Sequence, residues 1–212
     1  MALSNYTELK AAVASWIVRT DLTTQIPDFI SLYEADANRR IRIRQNMTTA
    51  QLSLVAGNST VTLPVDVLED VELNYDDTAE ALSRSSFDLI DRYQTADSSA
   101  SRPALYAITG STITFETEAD STYTLNLRYY KKWDIAVDTT NWLLTNAPDA
   151  YLFGSVAEAA MYLHDERLLQ IGIQRRDAAT DWVLKADSRT KSSPLVVDAA
   201  LRSAGAFNWR TG

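Results

Sequence analysis

Residues 148–163, PDAYLFGSVAEAAMYL, constrain the fold more than any other part of the chain. Nearly every position is small or apolar, and Glu158 is the only charged residue after Asp149. Thr or Asn just before this segment offers a side-chain acceptor for the first free N–H groups, and Pro148 suits a first helical turn. The pattern predicts a helix buried on several sides. Such a helix lies at the centre of a helical core or packs against a neighbouring subunit.

Amphipathic helices are predicted towards both ends of the chain. Residues 6–19 and 26–44 carry apolar side chains at helical intervals, and Asn5 with Glu8 has the spacing of a capping box. Another helical segment begins near Asp165, and its pattern fades from Ser188 onward. These segments predict a helical bundle built from the two ends of the chain.

The region between the helical parts is predicted to be mainly β structure. Alternating residues at 51–55 and 61–63 flank a turn and predict a β-hairpin. Gly110-Ser111 marks a second hairpin, between 105–108 and 112–115. A long strand is expected at 123–133 and a short helix at 86–93. The chain is therefore predicted to be an α+β protein: a helical bundle from 1–46 and 147–188, an inserted, mainly antiparallel β domain at 47–146, and an extended C-terminal tail at 189–212.

The charge is distributed unevenly along the chain. The net charge is −8, and residues 51–150 supply the excess with 16 acidic and 6 basic side chains. A general nucleic-acid binder would have the opposite sign. There is no cysteine, no signal-peptide pattern at the start, and no apolar run close to the ~20 residues that span a bilayer. We expect assembly in a reducing cytoplasm and no membrane partner.

No pattern for catalysis, cofactor binding or metal binding is convincing. His164 is the only histidine, and a turn between two helices explains it better than a metal site. There is no Gly-rich phosphate loop. A glycosidase draws its two carboxylates from separate elements across a cleft, so a run of acids is expected on a solvated strand face or on a negative surface in an assembly. That run is Asp66, Glu69, Asp70 and Glu72.

Aromatic and basic residues in the helical parts are candidates for contacts between subunits. The arginines that end the second helix suit its dipole, and this role or pairing with acids of a neighbour is favoured over contact with phosphate. Tryptophans there are expected in the core or at a subunit interface rather than as ligand platforms. The predicted interface residues are Trp16, Tyr33, Arg39, Arg40, Arg42 and Trp142.

The C-terminal segment combines basic charge with a few apolar residues. Exposed aromatic side chains gain nothing from water, so this composition predicts a tail that orders on a partner. Folding back onto its own domain is the alternative. The predicted docking residues are Leu195, Val196, Val197, Phe207, Trp209 and Arg210.

Five segments in this order and spacing resemble the adaptor, or head-to-tail connector, proteins of tailed phages, which are related to tail tubular protein A of short-tailed phages. They are LSNYTELKAAVASWIVRTDLTTQIPDFISLYEADANRRIR at 3–42, VTLPVDVLE at 61–69, RPALYAITGSTITF at 102–115, YTLNLRYYKKW at 123–133 and TNWLLTNAPDAYLFGSVAEAA at 140–160. None of these motifs is catalytic, so the resemblance implies a role in assembly.

The resemblance implies a homo-oligomeric ring, usually of twelve subunits, in the neck of the virion. The ring would dock beneath the portal protein, join it to a downstream tail or nozzle protein, and leave a channel for double-stranded DNA without binding it specifically. The acids at 66–72 are then candidates for the channel wall, because an acidic wall repels phosphates. The alternatives are another neck ring (a head- or tail-completion protein), a carbohydrate-binding or glycan-processing β domain, and a DNA-binding protein using residues 39–44, which the net charge disfavours.

Overall fold

The computed structural model describes residues 3–96 and 99–191 and confirms the α+β class. Its helices are α1 (Tyr6–Ile17), α2 (Ile26–Arg40), α3 (Phe87–Ala96), α4 (Ile135–Asp138), α5 (Trp142–Asn146), α6 (Pro148–Leu163) and α7 (Glu166–Lys191), with a 3-10 turn at Arg44–Asn46. Its strands are β1 (Met47–Leu54), β2 (Thr60–Thr62), β3 (Val67–Tyr75), β4 (Ser83–Arg84), β5 (Leu105–Thr109), β6 (Thr112–Phe115) and β7 (Tyr123–Lys131).

Helix α6 is the centre of the helical core. Nine of its 16 residues are buried, and it packs against α1, α2, α5 and α7. The side-chain cap predicted for its first turn does not form, because α5 ends directly before it and Ala147 takes the cap position. Asn141 instead caps α5, where its Oδ1 accepts the N–H of Leu144 at 2.9 Å. The apolar composition of α6 therefore predicted its burial, whereas the prediction of its cap was wrong.

Two glycines let neighbouring helices approach closely. A Cβ at Gly154 in α6 would lie 2.1 Å from Cδ2 of Tyr33 in α2. A Cβ at Gly172 in α7 would lie 3.0 Å from the Cβ of Ala157 in α6. Tyr33 thus packs its ring directly on the backbone of α6, and α7 lies against the same helix on another side.

Helix α2 ends four residues earlier than predicted, and α7 ends later. After Arg40 the backbone becomes extended, with φ −103° and ψ 112° at Ile41. Extended backbone places residues two apart on the same side, so Ile41 and Ile43 both enter the core, at 1% and 0% exposure. At the other end of the chain, α7 continues to Lys191 and includes the first residues that were predicted to be tail.

The turn between α6 and α7 explains His164. This residue has φ 55° and ends α6 in the left-handed conformation. The next residue caps the start of α7, because Oδ1 of Asp165 accepts the N–H of Leu168 at 2.9 Å. The helix-to-helix turn predicted here is confirmed.

The strands form two sheets, ordered β1-β7-β3 and β2-β6-β5-β4. The hairpin predicted at Gly110 is confirmed, since β5 and β6 pair antiparallel from Tyr106–Phe115 to Thr109–Thr112. The hairpin predicted between β1 and β2 is wrong. Strand β1 pairs with β7 over eight residues, and β2 pairs with β6, so the chain crosses from one sheet to the other after Leu54. All the pairs are antiparallel except β4 with β5.

The sheets enclose a second core, separate from the helical one. Its buried side chains come from both sheets and include Leu54, Leu73, Ile113, Phe115, Leu125 and Leu127. The segment after β7 belongs elsewhere: Trp133, Ile135, Leu143 and Leu144 are buried in the helical core. We therefore propose that the boundary of the inserted β domain lies near residue 132 instead of residue 146.

Candidate subunit and partner interfaces

The outer surface of the helical unit carries aromatic side chains that its own core leaves half exposed. Trp16 at the end of α1 is 46% exposed and packs edge-on against Phe153 of α6, with ring centres 5.0 Å apart. The guanidinium of Arg175 on α7 lies 5.8 Å from the centre of the same Phe153 ring. One face of Trp16 is therefore fixed by the fold, and the other is free to contact a second protein.

A stripe on α7 continues this surface. Ile171, Arg175, Ala178 and Trp182 recur at intervals of three or four residues, which places them on one helix face. All four are exposed, and Trp182 is exposed by 56%. We call these four residues the α7 stripe. An apolar aromatic at this exposure gains free energy when a partner covers it.

The arginines near the end of α2 are engaged with acids of the same chain. Arg40 bridges Asp36 at 3.1 Å and Asp177 of α7 at 3.2 Å. Arg42 donates to Glu69 of β3 at 2.8 Å and so ties the helical unit to the β unit. Arg39 lies 3.5 Å from Asp36 and is the most exposed of the three. These arginines therefore pair with acids of their own chain, whereas the sequence favoured pairing with acids of a neighbour.

Of the predicted interface residues Tyr33 and Trp142, the first is buried and the second is partly accessible. Tyr33 is 1% exposed, and its ring packs against Gly154 and edge-on against Tyr151, with ring centres 5.3 Å apart. It has no surface to offer a second subunit, and we leave it out of the interface proposed below. Trp142 begins α5 and is half-buried against the helical core, so part of its side chain is accessible.

The four acids at 66–72 bond to partners within the β unit and at its edge. Asp66 accepts the hydroxyl of Tyr129 at 3.0 Å, and Glu72 pairs with Arg128 at 3.1 Å. Asp70 pairs with Arg84 at 2.6 Å and accepts the Tyr106 hydroxyl at 3.0 Å, which leaves its side chain only 7% exposed. With Glu69 held by Arg42, three of the four carboxylates lie in ion pairs, and Asp66 bonds to a neutral hydroxyl. Asp70 in particular is a structural ion-pair partner rather than an open surface charge.

A buried carboxyl that the sequence did not single out holds the helical unit together. Oε1 of Glu34 accepts the N–H of Ile135 at 2.7 Å and the hydroxyl of Tyr151 at 2.8 Å. Asn141 donates its side-chain amide to the same hydroxyl at 2.6 Å. Glu34 thereby fixes the segment after β7 against α2 and α6.

Burial raises the pKa of Glu34 to about 7, and the charges of Asp134 and Asp138 act in the same direction, while its two hydrogen bonds oppose them. Burial likewise raises the pKa of Tyr151 well above its usual value. The carboxyl borders a cleft of about 380 Å³, which is also lined by Tyr6, Asn38 and Trp133. One turn further along α2, Asn38 exchanges two hydrogen bonds with the backbone of Trp133.

One sequence signal pointed to this buried network. Glu34 and Asn38 are four residues apart and sit beside the apolar stripe Ile30, Tyr33, Ala37 and Ile41. A carboxyl and an amide at helical spacing next to buried positions are expected to meet backbone groups of another segment. The identity of that segment depends on the fold and is not visible in the sequence.

Within residues 3–96 and 99–191, no group of three or more His, Asp or Glu side chains is placed to hold a metal ion. None of the helices in that part of the chain combines the length and apolarity needed to cross a membrane. The predicted docking residues of the tail (Leu195, Val196, Val197, Phe207, Trp209 and Arg210) lie outside the described residues.

The described residues form a helical core, leave aromatic side chains open on its outer helices and pair many charges within the chain. These features are typical of a structural subunit that contacts other proteins. Residues 4–198 match the family model described as SU10 adaptor protein, and the chain belongs to this family of phage head-to-tail adaptors. No individually curated protein matches the chain. The tailed-phage adaptor resemblance drawn from the sequence is therefore confirmed, and the chain is a phage structural adaptor protein.

Proposed function

We propose that this adaptor assembles as a ring, with about twelve subunits as the resemblance implies, docks beneath the portal and joins it to a downstream tail protein. The observation that supports ring formation best is the open aromatic surface on α1 and α7. Burying a fully exposed large apolar side chain contributes about 1.5–3 kcal/mol, and about half of that remains available at Trp16 and Trp182, which are 46% and 56% exposed. Within residues 3–96 and 99–191, the helical core is filled without the exposed sides of these two tryptophans.

The proposed interface between subunits comprises the α7 stripe, Trp16 and the accessible part of Trp142, with Arg39 at its rim. Arg40 and Arg42 contribute indirectly, because their ion pairs orient α2 against α7 and β3. A closed ring needs a heterologous contact, in which this surface meets a different surface of the neighbour.

The mass of the full-length protein, measured in solution alone and after mixing with portal, tests this proposal. Trp182→Glu should lower the mass of the assembly or prevent its formation on the portal. Gln170→Glu is the matched control, because it adds the same charge to an exposed position on a different face of α7. A variant at Trp182 that assembles as fully as the parent chain would remove the α7 stripe from the interface.

We propose further that the tail docks on the portal and that the ring lines a channel for double-stranded DNA in the virion neck. A chain that ends at Lys191 keeps all of α7 and should retain its fold by circular dichroism but fail to bind portal. Undiminished portal binding by that chain would refute the docking role of the tail.

For the channel wall, Glu69 and Glu72 keep more exposed side chains than Asp70, at 54% and 38% against 7%. They are the better candidates among the four acids. Because an acidic wall repels DNA phosphates, Glu72→Lys should slow DNA ejection from assembled particles. An unchanged ejection rate would count against this residue facing the channel.

A further inference from the structure

Strand β1 is an open sheet edge without the usual protection. It lies at one side of the sheet β1-β7-β3 and pairs with β7 in unbroken register from Met47–Tyr130 to Leu54–Tyr123. Its sequence, MTTAQLSL, contains no charge, proline or glycine. Edge strands are normally blunted by charged residues, prolines, bulges or short length, because their free backbone groups otherwise pair with another chain.

The other sheet edges in the described part of the chain are protected in these ways. Strand β3 carries three acids and two register irregularities. Strands β2 and β4 are three and two residues long. Among the strands that the structure describes, β1 therefore stands apart as a long, regular and uncharged edge.

Nothing in the described part of the chain covers this edge. Alternate residues of an antiparallel edge strand direct their N–H and C=O groups away from the sheet. No hydrogen bond within residues 3–96 and 99–191 reaches those outward groups at positions 48–53. On the core side, Ala50 and Leu52 are only partly buried. A further strand would satisfy the backbone groups and complete the burial of these two side chains.

The end of α7 lies close to the start of this edge. Asp187, in the last turns of α7, accepts the backbone N–H of Arg44 at 3.1 Å and its Nε at 3.2 Å. Arg44 begins the short turn that leads directly into β1. From Asp187 only four residues, or about 6 Å of helix, remain before α7 ends. The last residue of α7 is therefore about 6 Å along the helix from the residue that contacts Arg44, which lies three positions before β1.

The sequence that follows α7 suits an added strand. Residues 192–198 read SSPLVVD, and their β-branched and apolar residues favour a strand. The five residues 194–198 span about 17 Å when extended, so they can pair with about five of the eight residues of β1, which span about 26 Å. The family match extends to residue 198, seven positions past α7, and stops before Phe207 and Trp209. This part of the tail is thus shared with the family, whereas the aromatic end is not covered by the match.

We propose that residues 194–198 pair with the open edge of β1 in the same chain and extend the sheet by one strand. The proline at position 194 begins this segment, where its missing N–H costs no ladder hydrogen bond. The proposal narrows the portal-docking residues of the tail to Phe207, Trp209 and Arg210, but it does not depend on portal docking.

Hydrogen exchange on the isolated full-length protein, without portal, tests the proposal. Amides of β1 should exchange at least about tenfold more slowly in the full chain than in a chain ending at Lys191, because each added hydrogen bond protects an outward N–H. A chain ending at Leu201 keeps residues 194–198 and should retain the protection while losing the portal-docking aromatics. Failure of portal docking and failure of strand addition are therefore separate results.

Two proline variants sharpen this test in the full-length chain. Val196→Pro removes an N–H from the added strand and should release the β1 edge amides to the rate of the shortened chain. Ala204→Pro, beyond the segment, is the matched control and should exchange like the parent. Amides of β7 should be unchanged throughout, which shows that the sheet remains folded.

Equal exchange of the β1 amides in all these chains would overturn the proposal. Protection that disappears on dilution would also overturn it, because it would show that the strand comes from a neighbouring copy.

Discussion

Gly154→Ala is a sharp test of the packing around α6. The added Cβ would lie 2.1, 2.4 and 2.6 Å from three ring carbons of Tyr33. Ordinary contact begins at 3.4 Å, so the ring would have to retreat by 3.4 − 2.1 = 1.3 Å. Tyr33 is 1% exposed and packs against Tyr151, whose hydroxyl is already bonded to Glu34. The ring therefore has no free space into which to move.

The size of the effect follows from two opposing terms. Inserting a methyl group into a packed core costs about 1–3 kcal/mol, and the fixed surroundings of Tyr33 place this site at the upper end. Alanine gains about 1 kcal/mol over glycine inside a helix. The net loss of unfolding free energy is then about 2 kcal/mol. For a chain of this length, that corresponds to a fall in melting temperature of about 4–8 °C.

Urea denaturation followed by tryptophan fluorescence and circular dichroism would measure this change. The control is a double-mutant cycle with Tyr33→Leu, which removes the ring that the methyl group meets. In the Tyr33→Leu background, Gly154→Ala should cost nothing or should stabilise the protein by up to about 1 kcal/mol, through its helix propensity alone. Two results would refute the reasoning. One is a Gly154→Ala single variant as stable as the parent, and the other is an equal loss of stability from Gly154→Ala after Tyr33 has been replaced.

Two further predictions concern individual polar side chains. Burial places the pKa of Glu34 at about 7, above the 4.5 of an ordinary Glu. Its contribution to stability is therefore complete below about pH 4.5 and is lost as the pH rises through about 7, by up to about 3 kcal/mol. Glu34→Gln keeps an acceptor oxygen without the charge, so urea denaturation at pH 5 and pH 8 should show a weaker pH dependence than the parent; an identical pH dependence would contradict this assignment. The guanidinium of Arg102 lies 3.9 Å from the ring centre of Tyr75 and also pairs with Asp77 at 2.9 Å, and Arg102→Met should lower the unfolding free energy by about 1 kcal/mol through the loss of both contacts. The exposed Arg92→Met is its control, and equal melting curves for the two variants would show that the stacking adds nothing.

Local sequence patterns predicted the elements that local chemistry determines. The composition of 148–163 predicted a buried helix because no polar face was available for solvent. Gly110 predicted the β5–β6 turn, where it adopts φ 61°. Asn5 predicted the start of α1, where its Oδ1 accepts the N–H of Glu8 at 3.0 Å. The carboxylate of Glu8 bonds to Ser4 instead of completing the expected box with Asn5.

Features that depend on distant partners were not predictable in this way. Alternation at β1 and β2 marks two strands, but it does not say which strand each one pairs with. The short turn between them suggested a hairpin, whereas β1 finds a longer partner in β7, which comes much later in the chain. The role of Glu34 is similar, because its backbone partner at Ile135 lies across the fold. The sequence also predicted that α2 continues past Arg40. The extended backbone that buries both Ile41 and Ile43 was not predictable, because it depends on the shape of the core.

The distribution of charge and apolar surface indicates how the adaptor associates. Arg40, Arg42 and Arg84 already pair with acids of their own chain, and surface ion pairs contribute at most about 1 kcal/mol. A second subunit that meets these groups would have to break existing pairs to form new ones, with little net gain. The open sides of Trp16 and Trp182 have no such competing partner within the described residues. In the proposed ring we therefore expect Trp16 on α1 and Trp182 on α7 to contribute more association energy than the paired arginines, which orient the helical unit against the β unit.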